Sequence, residues 1–244
     1  MFRLLIKETL SSQTSWSVIL SPRSNSTRAG FIFDSKGFGQ ALDEAVNSDL
    51  LLSADKKRIK KILDAAIVGM IQIKKPPAPC NGAWTVSMAA VRNKGMGKII
   101  YDLAYWLSPA GKLVSDRFNL SKQAVSGWFR FSQKNHGEKL DDIENPHNSN
   151  EDDDCYLWDS DPAGVIDDFN NRSNAKLPVA AADAVNSSHI KQPEFEWGSL
   201  VSHTQTMTKI KLGDETDRSL FFSLTQKVGD EFFSEKYTEV PIVA

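Results

Sequence analysis

Apolar residues recur along this chain with two periods, and the switches between them outline its elements. Alternating or continuous apolar runs at Phe2–Lys7, Trp16–Leu20 and Gly30–Asp34 predict three strands, separated by serine-rich turns at Ser11–Ser12 and Ser21–Ser26. From Gly37 the period lengthens: Phe38, Leu42, Ala45 and Val46 share a helical face. A second helix starts near Ser53 and gathers Ile59, Ile62, Leu63 and Ala66 on one side, with Lys56, Lys57, Arg58, Lys60 and Lys61 elsewhere. Ile67–Ile73 reads as a strand that Pro76, Pro77 and Pro79 terminate. Near the other end, Leu220, Phe221, Leu224, Val228, Phe232 and Phe233 have helical spacing, which predicts a helix over about 217–236 that packs this stripe on the core.

The centre of the pattern is residues 83–110. Ala83–Val91 is short, apolar and strand-prone; Arg92-Asn-Lys-Gly-Met-Gly97 is a glycine-bearing turn; and Ile99, Ile100, Leu103, Ala104 and Leu107 repeat at helical spacing until Ser108-Pro-Ala-Gly111 stops them. A glycine turn that opens a helix after a strand directs unpaired backbone N–H groups and the positive end of the helix dipole to one point, which suits a phosphate. Gly95 and Gly97 let the backbone come close, and Arg92 and Lys94 add positive charge. The competing reading is a connection whose glycines only satisfy the turn. The turn is neither a Walker loop nor a dinucleotide fingerprint, which need other glycine spacings.

Lys112-Leu-Val114 predicts the next strand, with Asp116 at its carboxyl end, and Ser121 caps a helix that places Ala124, Val125 and Trp128 on one side. Ala175–Ser188 supports no more than a linker or short helix, while Phe195–Trp197 and Met207–Leu212 each read as a further strand.

Composition narrows the partners. With 29 basic and 31 acidic side chains among 244 residues, no net field draws the chain to nucleic acid or a membrane surface. The lysines of the second helix lack interleaved aromatics and read mainly as a solvated face. No run of about 18 apolar residues exists, and the first residues lack a secretory leader, so a cytoplasmic protein is expected. Cys80 and Cys155 follow no metal-ligand spacing, and free thiols in a reducing compartment are the preferred reading over a disulfide. No metal is expected.

The pattern Arg92-x-x-Gly95-x-Gly97, entered from a strand ending Ala90-Val91 and left through an amphipathic helix, resembles the acetyl-CoA pyrophosphate loop of the GNAT superfamily of N-acetyltransferases. That resemblance implies a cofactor set of Val91, Arg92, Asn93, Lys94, Gly95, Met96, Gly97 and Lys98. In that superfamily a later helix of the form N-x-x-A-x-x-x-Y often supplies a tyrosine that protonates the departing thiolate. Aligned on Ala124, Ser121 and Trp128 fall at its asparagine and tyrosine positions and join the cofactor set, although indole cannot act as that acid. The superfamily's usual glutamate base is missing from Ala83–Val91. Asp116, directly or through water, and Ser87, by positioning a water, are therefore the catalytic candidates, against the alternative that Asp116 pairs with Arg117 or caps a turn. Gly111-Lys-Leu-Val-Ser-Asp-Arg-x-x-Leu-Ser-x-x-Ala-x-x-x-Trp128 is also similar to acetyltransferase-like proteins carried by bacteriophages.

Residues 138–168 have a different composition, twelve carboxylates against the single base Lys139. So charged a stretch buries too little apolar surface to fold alone, and it reads as a solvated loop that Tyr156, Leu157 and Trp158 tether. Competing readings are a surface for a basic substrate or partner, a cation held by Glu151–Asp154, and a nucleophilic Cys155, whose acidic neighbours disfavour its thiolate.

The expected fold is α/β: a mixed twisted sheet of about six or seven strands flanked by helices, GNAT-like, with an acidic insertion and a C-terminal helix. Residues 1–137 form the core with the acetyl-CoA loop, 138–190 the insertion, and 191–244 the strands and helix that complete the domain. The implied activity is transfer of an acetyl group from acetyl-CoA to a primary amine of a small molecule or protein. The alternative is a catalytically inactive GNAT-fold structural or interaction protein, for instance one forming homo-oligomers or serving as a phage-particle (virion) component. If the protein is phage-encoded, the host cytoplasm is the expected compartment.

Overall fold

A computed structural model describes residues 3–8, 15–93, 96–116, 122–133, 137–157, 180–190, 212 and 215–238. The fold is mixed α/β. Its strands are β1 (Arg3–Glu8), β2 (Ser15–Ser24), β3 (Thr27–Asp34), β4 (Ile67–Lys74), β5 (Trp84–Val91), β6 (Lys112–Ser115), β7 (Gly137–Lys139), β8 (Asp141–Asp142), β9 (Asp154–Cys155) and β10 (Ser187–Ile190). The helices are α1 (Ser35–Val46), α2 (Ser53–Ala66), α3 (Gly97–Leu107), α4 (Lys122–Ser132), α5 (Ala180–Val185) and α6 (Glu215–Thr238). Neighbouring strands pair in the order β1-β2-β3-β4-β5-β6-β10-β7, with β8 and β9 as a separate parallel pair. This is the mixed sheet flanked by helices that the pattern predicted, with eight strands against an expected number of about six or seven. The chain divides into two compact units; β4, β5 and α3 each contribute to both.

In the first unit β1, β2 and β3 form an antiparallel meander, as their alternating sequence requires. Phe31 and Phe33 of β3, Phe38 and Leu42 of α1, Ile59 and Leu63 of α2, and Phe221 and Phe232 of α6 share one buried cluster. The stripes read from the sequence face this core, except that Val46, the last residue of α1, is 45% exposed. Asp34 caps α1 by accepting the Gly37 N–H at 2.8 Å. Three glycines permit close packing: a Cβ at Gly37 would stand 2.7 Å from the Ala66 Cβ, one at Gly69 2.8 Å from the Ala90 carbonyl oxygen, and one at Gly229 2.1 Å from the Phe31 ring. Two of the five basic side chains of α2 are engaged within the unit: Lys60 pairs with Asp64 and with Glu231 of α6, and Arg58 with Asp55 and Glu44.

In the second unit β5 runs parallel to β6, and β10 lies antiparallel between β6 and β7. The alanine-rich region therefore holds the short helix the pattern allowed and also a sheet strand that it did not reveal. His189 of β10 is fully buried, its ring stacked 5.2 Å from Trp128 and edge-on to Phe131.

Cys80 and Cys155, read as free thiols, form a disulfide with a Cα–Cα distance of 4.6 Å. Both sulfurs sit in a buried cluster with Ala78, Ala83, Val114 and Leu140. The pairing joins positions 75 residues apart, so sequence spacing carried no sign of it. The inference of a reducing compartment from unpaired thiols falls with it.

The acidic segment is structured through Leu157: β7 joins the sheet, β8 pairs with β9, and Leu157 packs on the disulfide cluster as a tether, whereas Tyr156 is exposed. Trp158 lies outside the described residues, as do the strands expected at 195–197 and 207–212 except for Leu212. Among the described residues no helix is long and apolar enough to cross a membrane.

Candidate functional site

β5 changes character along its length. Trp84 and Val86 are buried while Thr85 and Ser87 are half-buried, the alternation of a strand with one covered face. From Met88 to Val91 every residue is half-buried, although β5 lies in the interior of the strand order. Met88 and Ala90 pack against the first unit's core, so Ala89 and Val91 occupy the other face. The hydrogen-bonded register with β6 covers Trp84–Val86 alone.

Past Val91 the strand ladder takes one more step, the Arg92 N–H donating to the Val68 carbonyl at 2.8 Å. The chain then turns: the Asn93 carbonyl accepts the Met96 N–H at 3.4 Å, and the Met96 carbonyl accepts those of Ile99 and Ile100, each at 3.1 Å. Met96 thus carries the cap carbonyl of α3, which starts at Gly97. A Cβ placed on Gly97, which is half-buried, would meet none of the described residues within 4 Å. The Gly97 N–H precedes the first bonds of this helix, and the positive end of the helix dipole lies there. Lys98 and Asn93 are exposed beside it. Ile100, buried under α3, fits because Gly69 of β4 has no side chain there.

Arg92 has a further role. Its guanidinium donates to the Asp64 carbonyl at 2.9 Å and the Ala65 carbonyl at 3.1 Å, and lies 5.4 Å from the centre of the Phe232 ring. It caps the carboxyl end of α2 and ties it to α6. Lys94 and Gly95 lie outside the described residues, as does Ser121.

The two catalytic candidates each lie one residue past the end of the β5–β6 ladder. Val86 pairs with Ser115 at the end of the parallel ladder, and Ser87 and Asp116 are each the next residue. Both are half-buried. The Ser115 hydroxyl donates to the Val185 carbonyl at 2.9 Å, which holds that end of β6 against the end of α5. Trp128 is 3% exposed, so its indole belongs to the aromatic core with Phe131 and His189.

His189 was one of four scattered histidines in the sequence, and its burial depends on β10 entering the sheet. Its Nε2 lies 2.6 Å from the Ala184 carbonyl, which requires the hydrogen on Nε2 and leaves Nδ1 as a buried acceptor without a partner among the described residues. Burial pushes its pKa below 6.5, against the smaller opposing effect of the Ala184 carbonyl.

Comparison with models of known families, with curated proteins and with solved structures gave no match.

Proposed function

We propose that the chain binds acetyl-CoA where β5 runs into α3 and transfers the acetyl group to a primary amine of a small molecule or protein. The observation that carries this reading is the half-buried stretch Met88–Val91, inside the strand order, followed by the amino terminus of α3, where a Cβ on Gly97 would meet none of the described residues within 4 Å. A pantetheine arm would add hydrogen bonds along that strand, and the pyrophosphate would sit over the first turn of α3, where backbone N–H groups and the dipole favour negative charge. Lys98 and Asn93 supply exposed polar contacts. Arg92 contributes by fixing the turn against α2.

Asp116, one residue past the end of the β5–β6 ladder, is the group that would accept the amine proton, directly or through water, with Ser87 positioning that water. The neutral amine attacks the thioester carbonyl, a β5 N–H near Ala89 to Val91 stabilises the oxyanion, the attacking nitrogen gives its extra proton to water, and the C–S bond breaks as the carbonyl re-forms. The leaving thiolate needs no tyrosine, because a thiol ionises at about 8–9 and takes its proton from water after departure. Positioning an already activated acyl donor supplies most of the rate.

Calorimetric titration with acetyl-CoA tests this reading. Wild type binds at micromolar concentration, and Gly97→Glu, which adds a repelling carboxylate where the fold has room, does not. Absence of binding by wild type overturns the proposal. A second reading, a fold of this type without catalysis serving as a structural or interaction protein, is favoured by Arg92 being tied to α2 and by the core position of Trp128. Acetyl-CoA binding without thiol release across a panel of amines selects a non-catalytic binder.

A further inference from the structure

We propose that Asn81 is a latent modification site: its side-chain amide converts to aspartate and isoaspartate, through attack by the Gly82 nitrogen, once the turn holding both residues opens, and the Cys80–Cys155 bond keeps that turn closed. Asn81-Gly82 is the only Asn-Gly pair in the sequence. Glycine puts no side chain beside the attacking nitrogen, so this pair closes a five-membered imide ring with the least hindrance.

The fold places the pair in a left-handed turn, with φ of 47° at Cys80, 58° at Asn81 and 75° at Gly82. Among the described residues, Cys80 and Asn81 are the two non-glycine residues in this region of backbone space. Such a turn persists only while its surroundings hold it. Cys80 is bonded to Cys155 inside the buried cluster. The Gly82 N–H donates to the Pro79 carbonyl at 2.9 Å, and the Ala83 N–H to the Cys80 carbonyl at 3.0 Å. The Asn81 Nδ2 donates to Glu138 Oε2 of β7, an oxygen that also receives the Lys112 ammonium at 2.9 Å. Asn81 is half-buried and Gly82 exposed, so water reaches the pair when it is released.

These contacts block successive steps of the reaction. The nucleophile is the Gly82 nitrogen after loss of its hydrogen, and the Pro79 carbonyl engages that hydrogen. The nitrogen must bond to Asn81 Cγ, yet at ψ 31° the tetrahedral geometry of the Asn81 Cα turns it away from the side chain, so the backbone has to rotate first. As the Cγ–Nδ2 bond breaks, Nδ2 takes up a proton and leaves as ammonia; in the closed turn Glu138 Oε2 accepts a hydrogen from this nitrogen and gives it none. Water then opens the imide at either carbonyl. One opening yields aspartate, the other isoaspartate, whose main chain runs through the former side chain. Either product carries a carboxylate where Asn81 had a donor, so Glu138 loses that bond and faces a like charge, which loosens β7 from the turn. A period of reduction is thereby converted into an irreversible change.

The test incubates the full chain in mildly alkaline buffer, oxidised and, separately, with excess dithiol, which takes up the bond as its own disulfide. Temperature is kept below the melting point of both forms. Position 81 is followed by peptide mass mapping with an isoaspartate-specific methylation assay. The disulfide opposes opening of the turn by more than the free energy of one decade in rate, so conversion should be at least about tenfold faster in the reduced chain. Glu138→Ala, which keeps the disulfide but frees the Asn81 amide, should convert at an intermediate rate. Asn81→Asp, which reproduces one product, should melt below wild type when both are oxidised. Equal rates in the two wild-type forms, or no conversion at 81 in the reduced chain, overturns the proposal, as does an oxidised Glu138→Ala chain that converts no faster than oxidised wild type. If Glu138→Ala does not fold, the two wild-type rates decide.

Discussion

Breaking the Cys80–Cys155 bond is the perturbation whose magnitude follows most directly from the structure. The bond closes a loop of 75 residues. In the chain-entropy treatment, a loop of that length removes about 4.5 kcal/mol of unfolded-state freedom at 25 °C. Against a typical stability of about 5–15 kcal/mol, that is a large fraction. Reduction leaves both thiols in their buried cluster, so little packing is lost and the entropic contribution dominates. With about 2–4 °C per kcal/mol for a chain of this size, Tm should fall by about 9–18 °C on full reduction. The assay pairs thermal melts with and without reductant with a thiol count in denaturant, expected to read zero before reduction and two after. Hydrogen exchange should rise in Ile73–Ser87 and in the second-unit residues beyond Ala104 before it rises in α1 and α2. The Cys80→Ala, Cys155→Ala variant should melt near reduced wild type and ignore reductant. Two thiols in the unreduced protein, or a Tm within 2 °C of the oxidised form after verified reduction, would refute the reasoning.

Three further outcomes are expected. Stability should fall with acid through His189. Its folded pKa lies below 6.5, so the unfolded chain binds the extra proton, and stability present above pH 6.5 is lost as pH drops from there toward the folded value. Urea unfolding should register up to ~1 kcal/mol less stability at pH 5.5 than at 6.5 from this group, a limb that His189→Leu flattens. Gly229→Ala should cost about 1–3 kcal/mol in chemical denaturation, because the new methyl would stand 2.1 Å from the fully buried Phe31 ring. Arg92→Leu should lower stability by about 1–2 kcal/mol through loss of two bonds to the α2 carbonyls and of the contact with Phe232, with Arg92→Lys restoring only part.

Local pattern alone determined much of this protein. The stripes Phe38–Leu42–Ala45, Ile59–Leu63–Ala66 and Phe221–Val228–Phe232 specify α1, α2 and α6 and the face each buries, because helix periodicity and burial are properties of nearby residues. The same holds for β5, its turn and α3, and hence for the candidate site as a place in the chain. What that site's side chains do was decided by distant residues. Arg92 reads as a phosphate ligand in its turn, yet its guanidinium is held by carbonyls 27 and 28 residues earlier and by an aromatic ring on the last helix. β10 is four residues with one hydrophobic side chain, and its place between β6 and β7 comes from ladder partners far away in sequence. The disulfide and the meeting of Asp141 with Asp153 and Asp154 likewise depend on which segments the sheet and β8–β9 bring together. Spacing along a chain encodes periodicity within an element; contacts that close long loops are set by the summed packing of the whole fold, and only the tertiary structure expresses them.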